Sequence, residues 1–318
     1  MNETTRLTSK ETAQWLRERD NFLILTHRRP DGDTLGSGGG LCAALREIGK
    51  RAYMLENPET TERYVEYVAD YLAPAEFVPQ TVVTVDTADL GILQVNGGTY
   101  AGRVDLSIDH HTSNTGYGAY TCLDNAASCG ETVYDVLRVL TETVSAAVAL
   151  PLYVAVSTDT GCFVYANVTA HTLQVASELV AAGADHAAVN KKLFRTKSKG
   201  RIALDGAILS SLAYFAEGQI AVAVLTQELM SACGVTEDDL DDVAAMPGQV
   251  AGVRIGILVK ELPSGACKIS VRARPPVDAN VICQQFGGGG HRMAAGCQIE
   301  ASSEEAAWLI VAAAEGAL

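Results

Sequence analysis

Short apolar runs that stop on a histidine or aspartate alternate with longer stretches of helical period through the first half of the chain. Phe22-Leu23-Ile24-Leu25 predicts a buried strand that leads to His27. Residues 51–55 predict a second strand. Residues 81–85 and 104–108 are β-branched or apolar runs that stop at Asp86 and Asp109. Between them, Thr8-Ser9-Lys10-Glu11 has capping-box spacing and predicts a helix over 9–19. Helical period also marks 35–48, closed by Gly49, then 62–71, 131–140 and 169–182, closed by Gly183. Residues 152–156 run apolar just before Asp159, and their period does not separate helix from strand.

Past this half the pattern changes. Residues 191–201, KKLFRTKSKGR, are basic, and predict a connector helix or a solvated linker face. Strand patterns follow at 220–225, 253–260 and 267–272, and helical ones at 278–285 and 304–314. The expected organisation is an α/β catalytic domain over 1–190, a connector over 191–214 and a smaller α/β domain over 215–318. The first domain should carry a mainly parallel sheet with helices on both faces. Such sheets bind ligands beyond the carboxyl ends of their strands.

Acidic and imidazole groups cluster at those expected ends: His27-Arg28-Arg29-Pro30-Asp31-Gly32-Asp33, Asp86, Asp109-His110-His111 and Asp159. One Asp at a strand end is ordinarily a turn former or a helix cap. Four clusters of matching ligand chemistry point instead to a site for divalent metal, for which carboxylate oxygen and imidazole nitrogen are suited. Asp31-Gly32-Asp33 is expected as a tight turn, with Gly32 supplying the freedom and each carboxylate serving a different cation. Two divalent cations would balance the four carboxylates of Asp31, Asp33, Asp86 and Asp159. An incoming phosphate would then need further positive groups. Such a metal pair clamps the attacking and leaving oxygens of phosphoryl transfer and acidifies a water between them.

A second motif lies near the end. Gly287-Gly288-Gly289-Gly290-His291 predicts a loop whose backbone N–H groups approach an anion, with Ala294, Ala295 and Gly296 packing behind it. Arg272 and Arg274, at a strand end just upstream, would complete an anion pocket.

Charge narrows the partner. The net charge is −14, whereas a protein that tracks long DNA shows a basic footprint. A short substrate held by local basic groups fits better. None of the eight cysteines forms a C-x-x-C pair, which argues against a zinc finger. The polar N-terminus shows no apolar leader and no apolar run reaches a membrane span, so a cytoplasmic protein without a membrane partner is expected.

The segments THRRPDGDTLGS, VDTAD, IDHH, STDTGCF, ISVRA and FGGGGHRMAAG, in this order over nearly the whole chain, resemble the DHH phosphoesterase family with a DHH-associated C-terminal domain. The similarity is to the nanoRNase/3′-phosphoadenosine-5′-phosphate phosphatase type. The resemblance implies two divalent ions, Mn2+ by preference, in an interdomain cleft. His27 and Asp31 would bind one and Asp33, His110 and Asp159 the other, with Asp86 bridging. Asp109 would orient a histidine, and His111 would face the substrate phosphate. Arg272, His291 and Gly287–Gly290 would hold the terminal phosphate or nucleotide, with Arg274 beside them. The substrate implied is short RNA or 3′-phosphoadenosine 5′-phosphate, without long duplex nucleic acid. The alternatives are a linear or cyclic dinucleotide phosphodiesterase (pApA or c-di-AMP) and a non-catalytic nucleotide-binding sensor. Apolar helices are compatible with a homodimer.

Overall fold

The computed structural model describes residues 4–240 and 242–318. The chain divides into two compact units, one running to Thr196 and the other starting at Lys197.

In the first unit, β1 (Thr5–Leu7), β2 (Phe22–Leu25), β3 (Ala52–Met54), β4 (Thr81–Val85), β5 (Leu106–Asp109) and β6 (Tyr120–Leu123) form one parallel sheet, ordered β1-β6-β5-β4-β2-β3. Every position of β2 and β4 is buried, as a sheet covered on both faces requires. Phe22, Ile24, Val83, Val85, Leu106 and Ile108 point into the main core. That core is filled from α1 (Ser9–Arg17), α2 (Gly32–Glu47), α3 (Val65–Val68), α4 (Cys129–Leu140), α5 (Ala146–Asp159), α6 (Ala170–Ala181) and α7 (His186–Asn190). Leu23, Leu25 and Val82 face the other way, under the short 3-10 turns Leu90–Ile92 and Val95–Arg103.

This strand order fixes where a ligand can sit. From β2 the chain crosses through α2 to β3 on one side, whereas from β4 it moves to β5 and β6 on the other. The carboxyl ends of β2 and β4 therefore flank the switch point, the crevice where α/β sheets bind ligands. His27 follows β2 and Asp86 follows β4.

Three sequence expectations change here. The apolar segment 152–156 is helix, the buried middle of α5, so Asp159 arrives from a helix end rather than a strand end. A segment buried nearly all round shows no face by period. Asp31-Gly32-Asp33 is not a free turn, because α2 starts at Gly32 with Asp31 as its cap. Gly32 is needed for close approach: a Cβ there would lie 2.4 Å from Thr158 Cγ2 of α5. The helix expected over 62–71 is only α3 plus a 3-10 turn, Ala69–Tyr71. Strands β1 and β6 lacked a sequence signal.

The second unit carries α8 (Lys199–Ser210) and a mixed sheet of β7 (Ala213–Phe215), β8 (Ile220–Leu225), β9 (Ile255–Glu261), β10 (Cys267–Ala273), β11 (Gly289–His291) and β12 (Ala294–Ile299). Its order is β11-β12-β10-β9-β8-β7, with only β8 and β9 parallel. One face packs Ile257, Ile269 and Val271 against α10 (Ala279–Gln284) and α11 (Ser303–Glu315). The other packs Ala223 and Leu225 against α8 and α9 (Gln227–Cys233) through Leu204, Ile208 and Met230.

The segment expected as a connector is thus shared out. Lys191–Arg195 is a π-turn of the first unit, while α8 lies in the core of the second. Its basic residues are partly structural: Arg201, buried, and Lys197 each reach Asp205 at 2.6 Å. The glycine run also differs from a loose loop. Gly289–His291 is a strand paired with β12, and a Cβ at Gly288 would lie 2.2 Å from the Gly296 carbonyl oxygen.

Candidate metal centre

Asp86 stands at the middle of the switch-point crevice. It follows β4 with φ 52°, a left-handed conformation rare outside glycine, and its N–H donates to the Ile108 carbonyl at 3.0 Å. The strand pairing places it there at some conformational cost, as often happens at functional sites. Its two oxygens face different imidazoles. Oδ2 lies 3.5 Å from His27 Nε2 and Oδ1 3.4 Å from His110 Nε2.

Each imidazole then meets further carboxylates. His27 Nε2 lies 3.6 Å from Asp31 Oδ1. His110 Nε2 lies 3.7 Å from both Asp33 Oδ2 and Asp159 Oδ2. Two sets of ligand atoms, His27/Asp31/Asp86 and Asp33/His110/Asp159, each fall within 4.8 Å of one another. A third, Asp86/Asp109/His110/His111, meets the same limit and overlaps both through shared members. The distances exceed ordinary hydrogen bonds, which leaves room for a cation between the groups.

Surrounding hydrogen bonds orient the candidate ligands. His27 Nδ1 lies 2.8 Å from the Arg28 carbonyl and His110 Nδ1 lies 3.2 Å from that of Ala126. A carbonyl only accepts, so Nδ1 carries a proton in each ring, and in the neutral form that a cation requires the Nε2 lone pair faces inward. Asp31, as cap of α2, accepts the N–H groups of Asp33 and Thr34 through Oδ1 at 3.0 and 3.1 Å. Asp33 is clamped from three sides: Ser37 Oγ at 3.1 Å, Gly130 N–H at 2.9 Å and Cys129 N–H at 2.7 Å. The last two are the first amides of α4, whose helix dipole favours a carboxylate there. The sequence reading missed Ser37, Cys129 and Gly130. Ser128-Cys129-Gly130-Glu131, with the spacing of a helix start, was the available signal.

Asp109 is wholly buried and acts as a hub. Its Oδ1 accepts from His110 N–H at 2.8 Å and His111 Nδ1 at 2.8 Å, and its Oδ2 from Asn114 Nδ2 at 2.6 Å. It therefore holds the His111 ring, whose side chain is 42% exposed. The hydrogen bond to Asp109 comes first among the causes that raise the His111 pKa.

The electrostatics describe a cluster crowded with anions. Burial, then the Asp86 and Asp159 carboxylates, pushes Asp33 well above the usual range. Burial followed by neighbouring carboxylates lifts Asp159 to about 6. Burial works against charge on His27 and His110, but the carboxylates overcome it and hold them up at about 11 and about 10. Asp86 goes down because His110 and His27 more than offset its burial. Among the described residues, its Oδ1 nevertheless has no hydrogen-bond donor. An orphaned, buried carboxylate oxygen among crowded anions fits a cationic ligand, and these residues could hold metal ions.

Of the residues named for the second motif, Arg272 sits on β10, where Nη1 bonds the Val271 carbonyl at 3.2 Å. Arg274 follows it and donates through Nη2 to the Gly248 carbonyl at 2.9 Å. His291 is exposed at the end of β11. Gly287 has φ 71° and Gly290 has φ 150°, and Gly290 opposes Ala295 across the hairpin. All of these belong to the second unit.

A parallel sheet that gathers carboxylates and imidazoles at its switch point, followed by a mixed-sheet unit, defines a class of two-unit α/β proteins with a candidate metal centre. Comparison makes this specific. The model described as "DHH family, N-terminal domain" matches residues 21–156, and the "DHHA1 domain" model matches 217–317. The chain is 34% identical over 281 residues to the bifunctional oligoribonuclease and PAP phosphatase NrnA of Thermus thermophilus, covering 87% of this chain and 83% of that one. The Bacillus subtilis protein of the same name is 26% identical over 88% of this chain and 90% of its own. A crystal structure of an exopolyphosphatase-related protein from Bacteroides fragilis superposes with TM-score 0.86 at 22% identity, covering 97% and 95% of the two chains. The chain belongs to the DHH phosphoesterase family.

Proposed function

We propose that the protein is a manganese-dependent phosphoesterase that hydrolyses short oligoribonucleotides, 3′-phosphoadenosine 5′-phosphate, or both, to mononucleotides. The observation that carries the reading is Asp86. One buried carboxylate faces His27, of one candidate ligand set, with one oxygen and His110, of the other, with its second oxygen, which supports a bridging role. The names of the Thermus and Bacillus relatives support the substrate class.

In this reading His27, Asp31 and Asp86 hold one cation, and Asp33, His110, Asp159 and Asp86 the other. When bound, the two ions supply Lewis acidity toward a phosphoryl group and lower the pKa of a water. The chain's own residues do the rest. Asp31 and Asp33 are fixed by helix-start amides, so the cluster is organised before substrate arrives. Asp109 keeps the proton of His111 on Nδ1 in the neutral ring and, by raising its pKa, favours the charged form. His111 then donates a hydrogen bond from Nε2 to a phosphoryl oxygen as negative charge grows there. Arg272, Arg274, the amides of Gly287–Gly290 and His291 are, within the second unit, the groups suited to a phosphate or nucleotide. Local cations of this kind reconcile a polyanionic substrate with a net charge of −14.

The test is one panel with purified protein and Mn2+: a dinucleotide such as pApA, 3′-phosphoadenosine 5′-phosphate, pyrophosphate and long single-stranded DNA. Mononucleotide release from either of the first two is expected. Release from long DNA alone would overturn the reading.

A further inference from the structure

The turn that follows Asp159 presents an aromatic side chain in a prepared seat. Gly161, Cys162 and Phe163 have successive φ values of 56°, 57° and 66°, so three residues in a row are left-handed. Cys162 N–H donates to the Ser157 carbonyl at 2.7 Å, and the N–H groups of Val164 and Tyr165 both reach the Thr160 carbonyl at 3.0 Å. The chain then doubles back. Asn167 Nδ2 donates to the carbonyls of Asp159 and Ala127, each at 3.0 Å. The turn is thereby tied to a candidate metal ligand and to the segment leading into α4, whose first amides hold Asp33.

Within this turn the aromatic residues divide. Phe163 turns inward beside Tyr153, ring centroids 6.0 Å apart. Val164 and Tyr165 turn outward, 79% and 51% exposed. Single exposed apolar residues are ordinary on protein surfaces. Tyr165 differs because its ring lies directly on Gly161, where a Cβ would come within 2.3 Å of the ring Cζ. Glycine at 161 thus serves both the backbone conformation and the seat of the ring. The carboxylates and imidazoles next door suit cations and phosphate, and a base needs a flat face of another kind.

We propose that Tyr165, with Val164 beside it, is a platform on which a nucleobase of the substrate stacks while its phosphate occupies the candidate metal centre. The inference rests on the nucleotide reading above and narrows it, because it makes the site prefer a nucleoside phosphate over a bare phosphate ester. Every base has a π face, so such a platform binds nucleotides without reading their sequence.

The experiment compares wild type, Tyr165→Ala and Tyr165→Phe on pApA and on an analogue with abasic sugars in place of both nucleosides, with Mn2+ present. Binding of a 2-aminopurine dinucleotide is followed in parallel by fluorescence quenching. Tyr165→Ala should raise KM for pApA about tenfold, within the range that losing one base–aromatic stack produces, with kcat little changed. Its KM for the abasic analogue should match wild type. Tyr165→Phe should behave as wild type, which a role for the hydroxyl alone would not allow. Equal losses on both substrates, or no loss on pApA, would overturn the platform. If wild type turns over no nucleotide, the phosphoesterase reading fails by itself, and quenching decides the platform. Quenching lost in Tyr165→Ala supports it, whereas quenching retained there, or no binding by wild type, overturns it.

Discussion

Asp109 and His111 touch at 2.8 Å, yet their substitution should read out differently. Asp109 is buried and satisfies several donors at once, so Asp109→Ala leaves them unpaired. It should cost about 2–3 kcal/mol in urea unfolding as well as activity. His111 is part exposed, so His111→Ala should lower kcat by about 10²–10³-fold, the loss typical of one transition-state donor, while the unfolding midpoint barely moves. An equal loss of stability in both variants would show that the triplet is only structural. At this scale the sequence was informative about chemistry and silent about support. His27, Asp86 and His110 announced themselves as ligand types after apolar runs. The clamp on Asp33 comes from amides at positions 129 and 130, and nothing local to Asp33 signals it.

The pairing of α2 with α5 decides whether the two ligand sets form. Gly32, Gly36 and Gly40 lie one above another on α2 and face Thr158, Pro151, Ala155 and Leu152 of α5. At Gly36 a Cβ would lie 2.3 Å from the Pro151 carbonyl oxygen and 2.7 Å from the Ala155 nitrogen, both backbone. Gly36→Ala should therefore push the helices apart, cost about 1–3 kcal/mol and weaken Mn2+ binding by separating Asp33 from Asp159. At Gly38 the same added carbon meets the flexible end of Met54 at 2.7 Å, so Gly38→Ala should stay within about 1 kcal/mol and keep metal affinity. Calorimetric Mn2+ titration and urea unfolding of the two variants check this; equal effects would refute the helix-contact account. The glycines of α2 were legible as residues but not as a packing row, because their partner helix begins more than a hundred residues later. That partner was itself ambiguous, since a helix buried all round has no polar face to betray its period. The strands that lead to His27, Asp86 and Asp109 were plain because parallel strands buried on both faces read as unbroken apolar runs.

For the molecule as a whole, cations, protons and folding are linked. In the cation-free protein the charged forms of His27 and His110 add stability that is complete below the ordinary imidazole value, ~6.5. That stability is lost as pH rises through about 11 and about 10 respectively. A cation needs the neutral rings, so its binding near pH 7 should release protons and tighten as pH rises. Titration calorimetry in two buffers of different ionisation enthalpy should show a buffer-dependent heat, and identical heats would contradict it. Mn2+ at about a hundred times its Kd should add about 2.7 kcal/mol of stability and raise the melting temperature, an effect that EDTA reverses. The place of α8 in the second core was not legible, because a basic stretch resembles a linker until its salt bridges to Asp205 are seen. The central claim is that Asp86 serves two cation sites of a phosphoesterase. Its most direct test is the rate of mononucleotide release from pApA by Asp86→Ala beside wild type, at saturating Mn2+, with circular dichroism confirming the fold. The account predicts release by wild type and only background from the variant; wild-type rates in Asp86→Ala would contradict it.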